Sequence, residues 1–192
     1  MFRDLLAAAW ADYGNLSEAQ LAALESHYRL MLRWNYRINL TRSSSLLEMV
    51  QLHYCESMFL GLLLPRGQLK ILDFGSGAGF PGIPLAIVRP ECTVVLAEAN
   101  RRKAVFLREA SRGIPNVSVT SDRQEMGQQS YDWVVSRAVA PNEVLKSRLA
   151  PRFAILTSLR SLEGLPKPVE LTPIPWGAQR VIAMFHVEHS PC

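Results

Sequence analysis

The feature that most constrains this chain is the segment LDFGSGAGFPGIPLA, residues 72–86, in which glycine recurs at alternate positions. Gly75, Gly77 and Gly79 follow a short apolar run that ends in Asp73. Such a run predicts a buried strand, and the residues from Pro81 onward predict a helix with proline in its first turn. Because glycine carries no Cβ, a strand, a bare loop and a helix N-terminus together bring backbone N–H groups close to a ligand.

The chain after residue 66 alternates strands with helices. We predict helices over 101–112 and 142–149, and strands at LKIL (residues 69–72), TVVLAE, NVSVT, DWVVS and RFAILTS. Strands alternating with helices indicate a mostly parallel sheet that is covered on both faces. PVELTPIP and AQRVIAMFHVEH have no helix between them, so we predict an antiparallel strand pair at the edge of the sheet.

The first third of the chain is predicted to be helical. Apolar residues recur at helical spacing over 2–13 and 46–64, and Ser17 with Gln20 forms a capping-box pattern at the start of a further helix. We therefore predict two parts that form one compact unit: an N-terminal helical extension, residues 1–66, packed on a domain of residues 67–192.

Charge and cysteine content restrict the classes of partner. The chain has 21 Lys plus Arg against 17 Asp plus Glu, which permits a polyanionic partner without requiring one. Cys55, Cys92 and Cys192 form no C-x-x-C pair, and His186 and His189 would point to opposite faces of a strand, so we expect no metal site. No apolar run approaches the length of a membrane span, and we expect a cytoplasmic protein.

The glycine loop narrows the choice of ligand. A dinucleotide fingerprint needs glycine where Phe80 stands, and the P-loop sequence is absent. A G-x-G-x-G loop after an acidic residue suits S-adenosylmethionine, with Glu98 at the end of the next strand for the ribose hydroxyls. An NAD-type site and a glycine turn without a ligand remain alternatives. Asp73 either accepts a hydrogen bond from the methionyl ammonium or caps N–H groups of the loop.

Six segments, taken together, resemble one family. The glycine loop is similar to the cofactor loop of the ribosomal RNA small subunit methyltransferase G family, and the other segments match its motifs in the same order. The other segments are LRWNYRINLT, MVQLHYCESM, EANRRKAVFLREA, SDRQEM and DWVVSRAVAP. The resemblance runs from about residue 30 to residue 141. The sequence departs from the family pattern at Glu56 and Met58, and again at Thr157 and Ser158, where the family usually has Lys-Gly.

The resemblance implies a class I, Rossmann-like methyltransferase that moves a methyl group from S-adenosylmethionine to N7 of a guanosine. That guanosine lies in the 530 loop of 16S ribosomal RNA, within the 30S subunit, and the enzyme is expected to act as a monomer. By motif position, the cofactor would be lined by Gly75, Gly77, Gly79 and Phe80, its ribose by Glu98, its adenine by Gln124 and Glu125, and its mouth by Arg137.

Methylation of guanine N7 requires little catalytic chemistry from the protein. N7 has an exposed lone pair, so no general base is needed, and alignment of the reactants can supply about 7–11 kcal/mol. Arg137 is the candidate for an active role: it would orient the O6/N7 edge of guanine or steady the cofactor carboxylate, and a purely structural arginine is the alternative.

Basic residues on two predicted helices are candidates for RNA contact, with a solvated helix face as the alternative. They are Arg33, Arg37, Arg101, Arg102 and Lys103. His53 falls on an apolar helix stripe and is interpreted as a packed, hydrogen-bonded histidine. Two other functions remain open: a class I methyltransferase for another RNA or a small molecule, and a non-catalytic assembly factor that binds S-adenosylmethionine and RNA.

Overall fold

A seven-stranded sheet organises the chain. The computed structural model describes residues 1–42 and 45–187. The strands are β1 (Lys70–Phe74), β2 (Thr93–Ala97), β3 (Val117–Thr120), β4 (Trp133–Arg137), β5 (Arg152–Ser158), β6 (Glu170–Pro173) and β7 (Arg180–His186). Their order is β3-β2-β1-β4-β5-β7-β6; β1 to β5 are parallel, and β7 runs antiparallel to both β5 and β6. The predicted α/β fold with an antiparallel edge pair is confirmed.

Helices precede the sheet and connect its strands. They are α1 (Phe2–Trp10), α2 (Glu18–Ile38), α3 (Leu46–Met49), α4 (Glu56–Leu63), α5 (Gly82–Val88), α6 (Arg101–Ala110), α7 (Arg123–Gly127) and α8 (Pro141–Lys146). Short 3₁₀ turns occupy Ala11–Tyr13 and Leu159–Leu162. The predicted capping box at Ser17 and Gln20 starts α2. A π-helical segment, Val50–Cys55, joins α3 to α4, and α7 was not predicted.

Alternate residues of the central strands face two hydrophobic cores. Ile71 of β1 packs with residues of the N-terminal helices such as Leu6 and Met31. Leu72 packs on the opposite face with Phe153 of β5 and Val144 of α8. Helices therefore cover both faces, and the N-terminal helices share the first core with the sheet.

An aromatic group joins the N-terminal helices to the turn between β6 and β7. The ring centroid of Trp176 lies 6.2 Å from that of Trp10, 5.2 Å from Tyr13 and 6.0 Å from Phe59. The first and last thirds of the described chain are thus in direct contact.

The described residues contain no helix that is long and apolar enough to cross a membrane. Across the same residues no three His, Cys, Asp or Glu side chains are grouped so as to hold a metal ion. His186 is exposed at the end of β7, while His189 and Cys192 lie outside the described residues.

Candidate functional site

A cavity of about 340 Å³ opens at the carboxyl edge of the sheet, where the strand order reverses between β1 and β4. Ligands of open α/β sheets bind at this switch point. Its lining includes five of the residues predicted for cofactor binding, Gly75, Gly77, Phe80, Glu98 and Arg137, together with Lys103, Leu40, Thr41 and His53. We call it the glycine-loop cavity.

The glycine loop is fixed to the end of β2. The N–H groups of Gly75 and Ser76 both donate to the carbonyl of Ala97, at 2.9 and 3.0 Å. Gly75 has φ 77°, and a Cβ there would lie 2.4 Å from Cγ2 of Val139. The residue must therefore be glycine for both backbone conformation and space.

Glu98 connects the loop to the start of α6. Its Oε2 accepts the N–H of Gly77 at 2.9 Å, and its Oε1 accepts the N–H of Asn100 at 2.8 Å. A carboxylate oxygen has two lone pairs, so each oxygen of Glu98 retains one acceptor position, and Glu98 lines the cavity. This arrangement suits a pair of ligand hydroxyl groups.

Asp73 is completely buried beneath the loop. Its Oδ2 accepts the N–H of Gly82 at 2.9 Å, at the start of α5, and its Oδ1 has no hydrogen-bond partner among the described residues. Burial raises the pKa of this carboxyl to about 7. Of the two interpretations of Asp73, the cap of a backbone N–H is the one observed. The ammonium contact stays a prediction.

His27 of α2 holds the loop from the other side, and the sequence analysis missed it. Its Nε2 lies 2.9 Å from the carbonyl oxygen of Ala78, and its Nδ1 lies 2.8 Å from the hydroxyl of Tyr54. Because a carbonyl can only accept, Nε2 carries the proton and Nδ1 accepts from Tyr54. Burial lowers the pKa of His27 to about 4, so the ring is neutral. A polar residue between the apolar positions Leu24 and Met31 was the signal that could have found it.

The segment after α2 forms part of the cavity wall. The side chain of Asn35 accepts the N–H of Thr41 at 2.9 Å and donates to its carbonyl at 3.1 Å. His53 lines the cavity, with its ring 4.9 Å from that of Phe80 and its Nε2 3.3 Å from the hydroxyl of Thr41. Burial, followed by the charge of Arg137, lowers the pKa of His53 to about 3. His53 is packed and hydrogen-bonded, as predicted, and it also faces the cavity.

Arg137, at the end of β4, is held by two partners. Its Nη1 donates to the carbonyl of Leu52 and lies 3.8 Å from Oε2 of Glu56. Glu56 is completely buried and accepts from Nε and Nη2 of Arg180 at 2.5 and 2.6 Å. Burial lowers the pKa of Arg137 to about 10, so it stays protonated at neutral pH. In the sequence, Glu56 was notable only as a departure from the family pattern, and its contacts with Arg137 and Arg180 were not predicted.

Three predicted cofactor residues lie outside the lining of the glycine-loop cavity. Gly79 is buried behind it, where a Cβ would lie 2.5 Å from Cδ1 of Ile83. Gln124 and Glu125 are exposed on α7, and Glu125 accepts from the hydroxyl of Thr120. Their neighbour Met126 lines a separate cavity of about 520 Å³ beside Phe74, which ends β1. The adenine contact of Gln124 and Glu125 stays a prediction.

The basic residues predicted to bind RNA lie on two helices in contact. Arg33 and Arg37 are exposed on α2, and Arg101 and Arg102 are exposed at the start of α6. Trp34 of α2 joins the helices, because its Nε1 donates to Glu109 at 3.1 Å and its ring packs on Phe106. Lys103 also lines the glycine-loop cavity. Tyr36, 94% exposed between the two arginines of α2, adds an aromatic face.

Sequence comparisons give one consistent family. The model of the family described as rRNA small subunit methyltransferase G matches residues 20–155. The protein named ribosomal RNA small subunit methyltransferase G in Nitrosococcus oceani is 43% identical over 129 residues, covering 65% of this chain and 59% of the relative. Its namesake in Desulforamulus reducens is 38% identical over 146 residues, covering 71% and 61%. The chain thus spans about six tenths of the length of these two relatives.

Comparisons with solved structures show the same fold in more distant proteins. An S-adenosylmethionine-dependent O-methyltransferase from Thermotoga maritima superposes with a TM-score of 0.54 at 16% identity, covering 84% of this chain and 73% of that one. The 16S rRNA methylase ArmA gives a TM-score of 0.54 at 15% identity, covering 82% and 96%.

Proposed function

Because the chain belongs to the ribosomal RNA small subunit methyltransferase G family, we propose that it transfers a methyl group from S-adenosylmethionine to N7 of a guanosine in 16S ribosomal RNA. The guanosine is the one in the 530 loop, the substrate is the 30S subunit, and the protein acts as a monomer in the cytoplasm. The contact of Glu98 with the N–H of Gly77 at the carboxyl edge of the sheet supports the cofactor part of this proposal most, and membership of the family supports the RNA substrate.

The residues of the glycine-loop cavity fit S-adenosylmethionine. Gly75 and Gly77 leave the loop backbone open to the ligand, and the ring of Phe80 supplies an apolar surface. Glu98 has acceptor positions left for the two ribose hydroxyls. Gln124 and Glu125 are assigned to the adenine. Their neighbour Met126 lines the separate cavity beside Phe74, at the end of β1. When bound, S-adenosylmethionine supplies a methyl group already activated by the positive sulfur.

The protein's own contribution is to bind and orient. Guanine N7 is nucleophilic without loss of a proton, and His53, with a pKa of about 3, is a weak base that the reaction does not require. Arg137 lies in the cavity wall, with its guanidinium fixed by Leu52 and Glu56. It orients the guanine edge or the cofactor carboxylate. This orientation contributes part of the roughly 7–11 kcal/mol by which alignment of the reactants can lower the activation barrier.

Phosphate groups of the RNA are assigned to the exposed basic residues of α2 and α6. Each phosphate neutralised by a Lys or Arg releases counterions, so RNA affinity falls as salt concentration rises. Arg33, Arg37, Arg101 and Arg102 lie on helices in contact, and Lys103 extends this surface to the cavity.

The test is methyl transfer to 30S subunits that lack the modification. We expect label from S-adenosylmethionine at a single guanosine N7 of the 530 loop, mapped by mass spectrometry. Gly77→Asp should abolish it, because the new carboxylate would lie beside that of Glu98, which accepts the N–H of residue 77. Gly113→Asp is the matched control, since a Cβ at Gly113 has no neighbour within 4 Å.

Label at another nucleotide would contradict the assigned target. Cofactor binding without label on any ribosomal RNA would instead favour a small-molecule methyltransferase or a non-catalytic binding factor.

A further inference from the structure

A second cavity lies against the glycine-loop cavity. It also measures about 340 Å³, and the two share Arg137, Ala138 and Val139 as a common wall. The opposite side of the second cavity is formed by the end of β5 and by Arg180 of β7. We call it the arginine cavity.

The electrostatics of the arginine cavity favour an anion. Arg137 and Arg180 share one carboxylate, that of Glu56, so the three side chains carry a net charge of +1. Glu56 is completely buried, whereas the side chains of Arg137 and Arg180 are 12% and 30% exposed. The described residues that line the cavity include no acidic side chain. A solute in the cavity therefore meets the guanidinium groups and not the carboxylate.

Arg137 and Arg180 both retain guanidinium N–H groups that Glu56 and Leu52 do not use. A guanidinium has five N–H bonds, and Arg180 uses Nε and Nη2 for Glu56, which leaves both hydrogens of Nη1. Among the described residues Arg137 contacts Leu52 and Glu56 through Nη1, which leaves Nε and Nη2. Because Glu56 fixes the plane of the Arg180 guanidinium, its remaining donors are oriented before a ligand arrives.

Hydroxyl groups complete the lining. Thr157 is nearly buried, and the hydroxyls of Ser158 and Ser161 are 2.8 Å apart. Ser158 pairs with Arg180 across β5 and β7, which places hydroxyl and guanidinium at the same edge of the sheet. Thr157 and Ser158 are the positions at which the sequence departs from the Lys-Gly of the family. Guanidinium and hydroxyl donors together match the oxygens of a phosphate.

We propose that the arginine cavity binds a phosphodiester group of the RNA substrate, next to the nucleotide whose base enters the glycine-loop cavity. The inference rests on the proposed function, because it takes RNA as the substrate. The shared wall of Arg137, Ala138 and Val139 supports it, since a nucleotide reaching across that wall places its base and its phosphate in adjacent cavities. The wall is held in an unusual backbone conformation: Ala138 has φ 63°, in the left-handed region that costs an L-residue energy.

The first test places a negative charge in the cavity without disturbing the buried ion pair. Ser161 is exposed, so Ser161→Asp should fold normally. We expect its affinity for 16S ribosomal RNA to fall on the order of tenfold, and the slope of log affinity against log salt to become shallower by about 0.7, the value for one single-strand phosphate. The affinity for S-adenosylmethionine should not change. Ser161→Asn controls for size, and Ser130→Asp, exposed before β4 at the opposite edge of the sheet, controls for charge.

The second test removes the charge from the RNA. Methylphosphonate linkages are introduced one at a time on each side of the target guanosine. At one linkage the methylphosphonate should lower the affinity of the wild-type protein for the RNA. At that same linkage, Ser161→Asp should bind the modified and the unmodified RNA with equal affinity. Equal losses for both proteins at every linkage would overturn the inference.

The outcomes separate this inference from the proposed function. If the wild-type protein labels the 30S subunit and Ser161→Asp keeps wild-type affinity and salt slope, the inference is overturned and the proposed function stands. If no RNA is methylated, the proposed function fails. Inorganic phosphate at constant ionic strength then decides whether an anion site exists: a higher Tm for wild-type protein but not for Ser161→Asp supports it, and identical shifts overturn it.

Discussion

At the level of single residues, the glycine loop depends on contacts that lie behind it rather than in the cavity. Asp73 accepts from Gly82 where α5 begins, and His27 holds the carbonyl of Ala78. Neither side chain lines the glycine-loop cavity. Changes at these positions should therefore act on cofactor binding through the conformation of the loop.

Gly82→Ala tests the close approach of α5 to β1. The added Cβ would lie 2.3 Å from Cδ2 of Leu96 and 2.6 Å from Oδ2 of Asp73, in a region with no space for a methyl group. We expect the free energy of unfolding to fall by about 1–3 kcal/mol and cofactor affinity to fall with it. Urea denaturation and calorimetry measure the two effects. Gly113→Ala, with no neighbour within 4 Å, should change stability by less than about 1 kcal/mol.

His27 predicts a pH dependence of stability. Its pKa falls from the ordinary 6.5 to about 4 on folding, so below pH 6.5 the unfolded chain takes up a proton that the native protein does not. The stability contributed by the neutral ring is therefore present above pH 6.5 and lost as the pH falls toward 4, by about 3 kcal/mol in total. The stability difference between wild type and His27→Gln should shrink by that amount over this range in urea titrations.

Asp73 titrates in the opposite sense, because its pKa is raised to about 7, but it is present in both proteins and cancels in the difference. Parallel stability curves for wild type and His27→Gln would show that His27 does not carry the effect.

At the level of elements, one buried ion pair connects helix α4 to the edge strand β7. Glu56 and Arg180 are far apart in sequence, and their side chains meet at 2.5 and 2.6 Å. The same carboxylate lies 3.8 Å from Arg137 at the end of β4. Three elements that line or support the two cavities are therefore coupled through a single side chain.

A double-mutant cycle measures this coupling. Glu56→Gln should cost about 3–5 kcal/mol, because it removes the buried carboxylate that Arg137 and Arg180 share. Arg180→Gln should cost less, because Glu56 keeps Arg137 at 3.8 Å. The double variant should cost less than the sum, by on the order of 1–3 kcal/mol in urea denaturation. Arg29→Gln is the comparison, since Arg29 is 72% exposed and pairs with Glu25 on the surface, where such pairs contribute about 0–1 kcal/mol. Additive costs at Glu56 and Arg180 would contradict the coupling.

The elements also show what the sequence could and could not predict. The strands and the helix α6 follow from apolar periodicity, which is strong where both faces of the sheet are buried. The helix α7 is only five residues long and mostly polar, so it has no periodicity to detect. The π-helical segment Val50–Cys55 keeps a helical apolar pattern and is indistinguishable from α-helix by spacing. The loop residues Gly75 and Gly77 were predictable from the alternate spacing of glycine after an apolar run, whereas the partners of Glu56 depend on the tertiary fold.

At the level of the whole molecule, the N-terminal helices and the sheet share one hydrophobic core. Leu6, Leu24 and Met31 pack in the same buried cluster as Ile71 and Ile182. The aromatic group around Trp176 adds a contact between the N-terminal helices and the strand pair. We propose that residues 1–66 and 67–192 fold as one compact unit.

The proposal predicts a single unfolding transition. The four tryptophans lie at residues 10, 34, 133 and 176, so their fluorescence reports on helices, sheet and strand pair together. Fluorescence and far-UV circular dichroism should give the same urea midpoint, the behaviour of a two-state domain. A separate early transition in fluorescence would show that the helical extension unfolds independently of the sheet.

The left-handed backbone at Ala138 limits the variation that this position can accept. One base change in an alanine codon yields Gly, Ser, Thr, Pro, Val, or an acidic residue, and of these only glycine adopts φ 63° freely, with aspartate next. A survey of natural variants or a saturation screen should therefore return few substitutions at residue 138. The scarcity of substitutions at residue 138 would follow from the backbone conformation. It would therefore not show that Ala138 contacts the substrate.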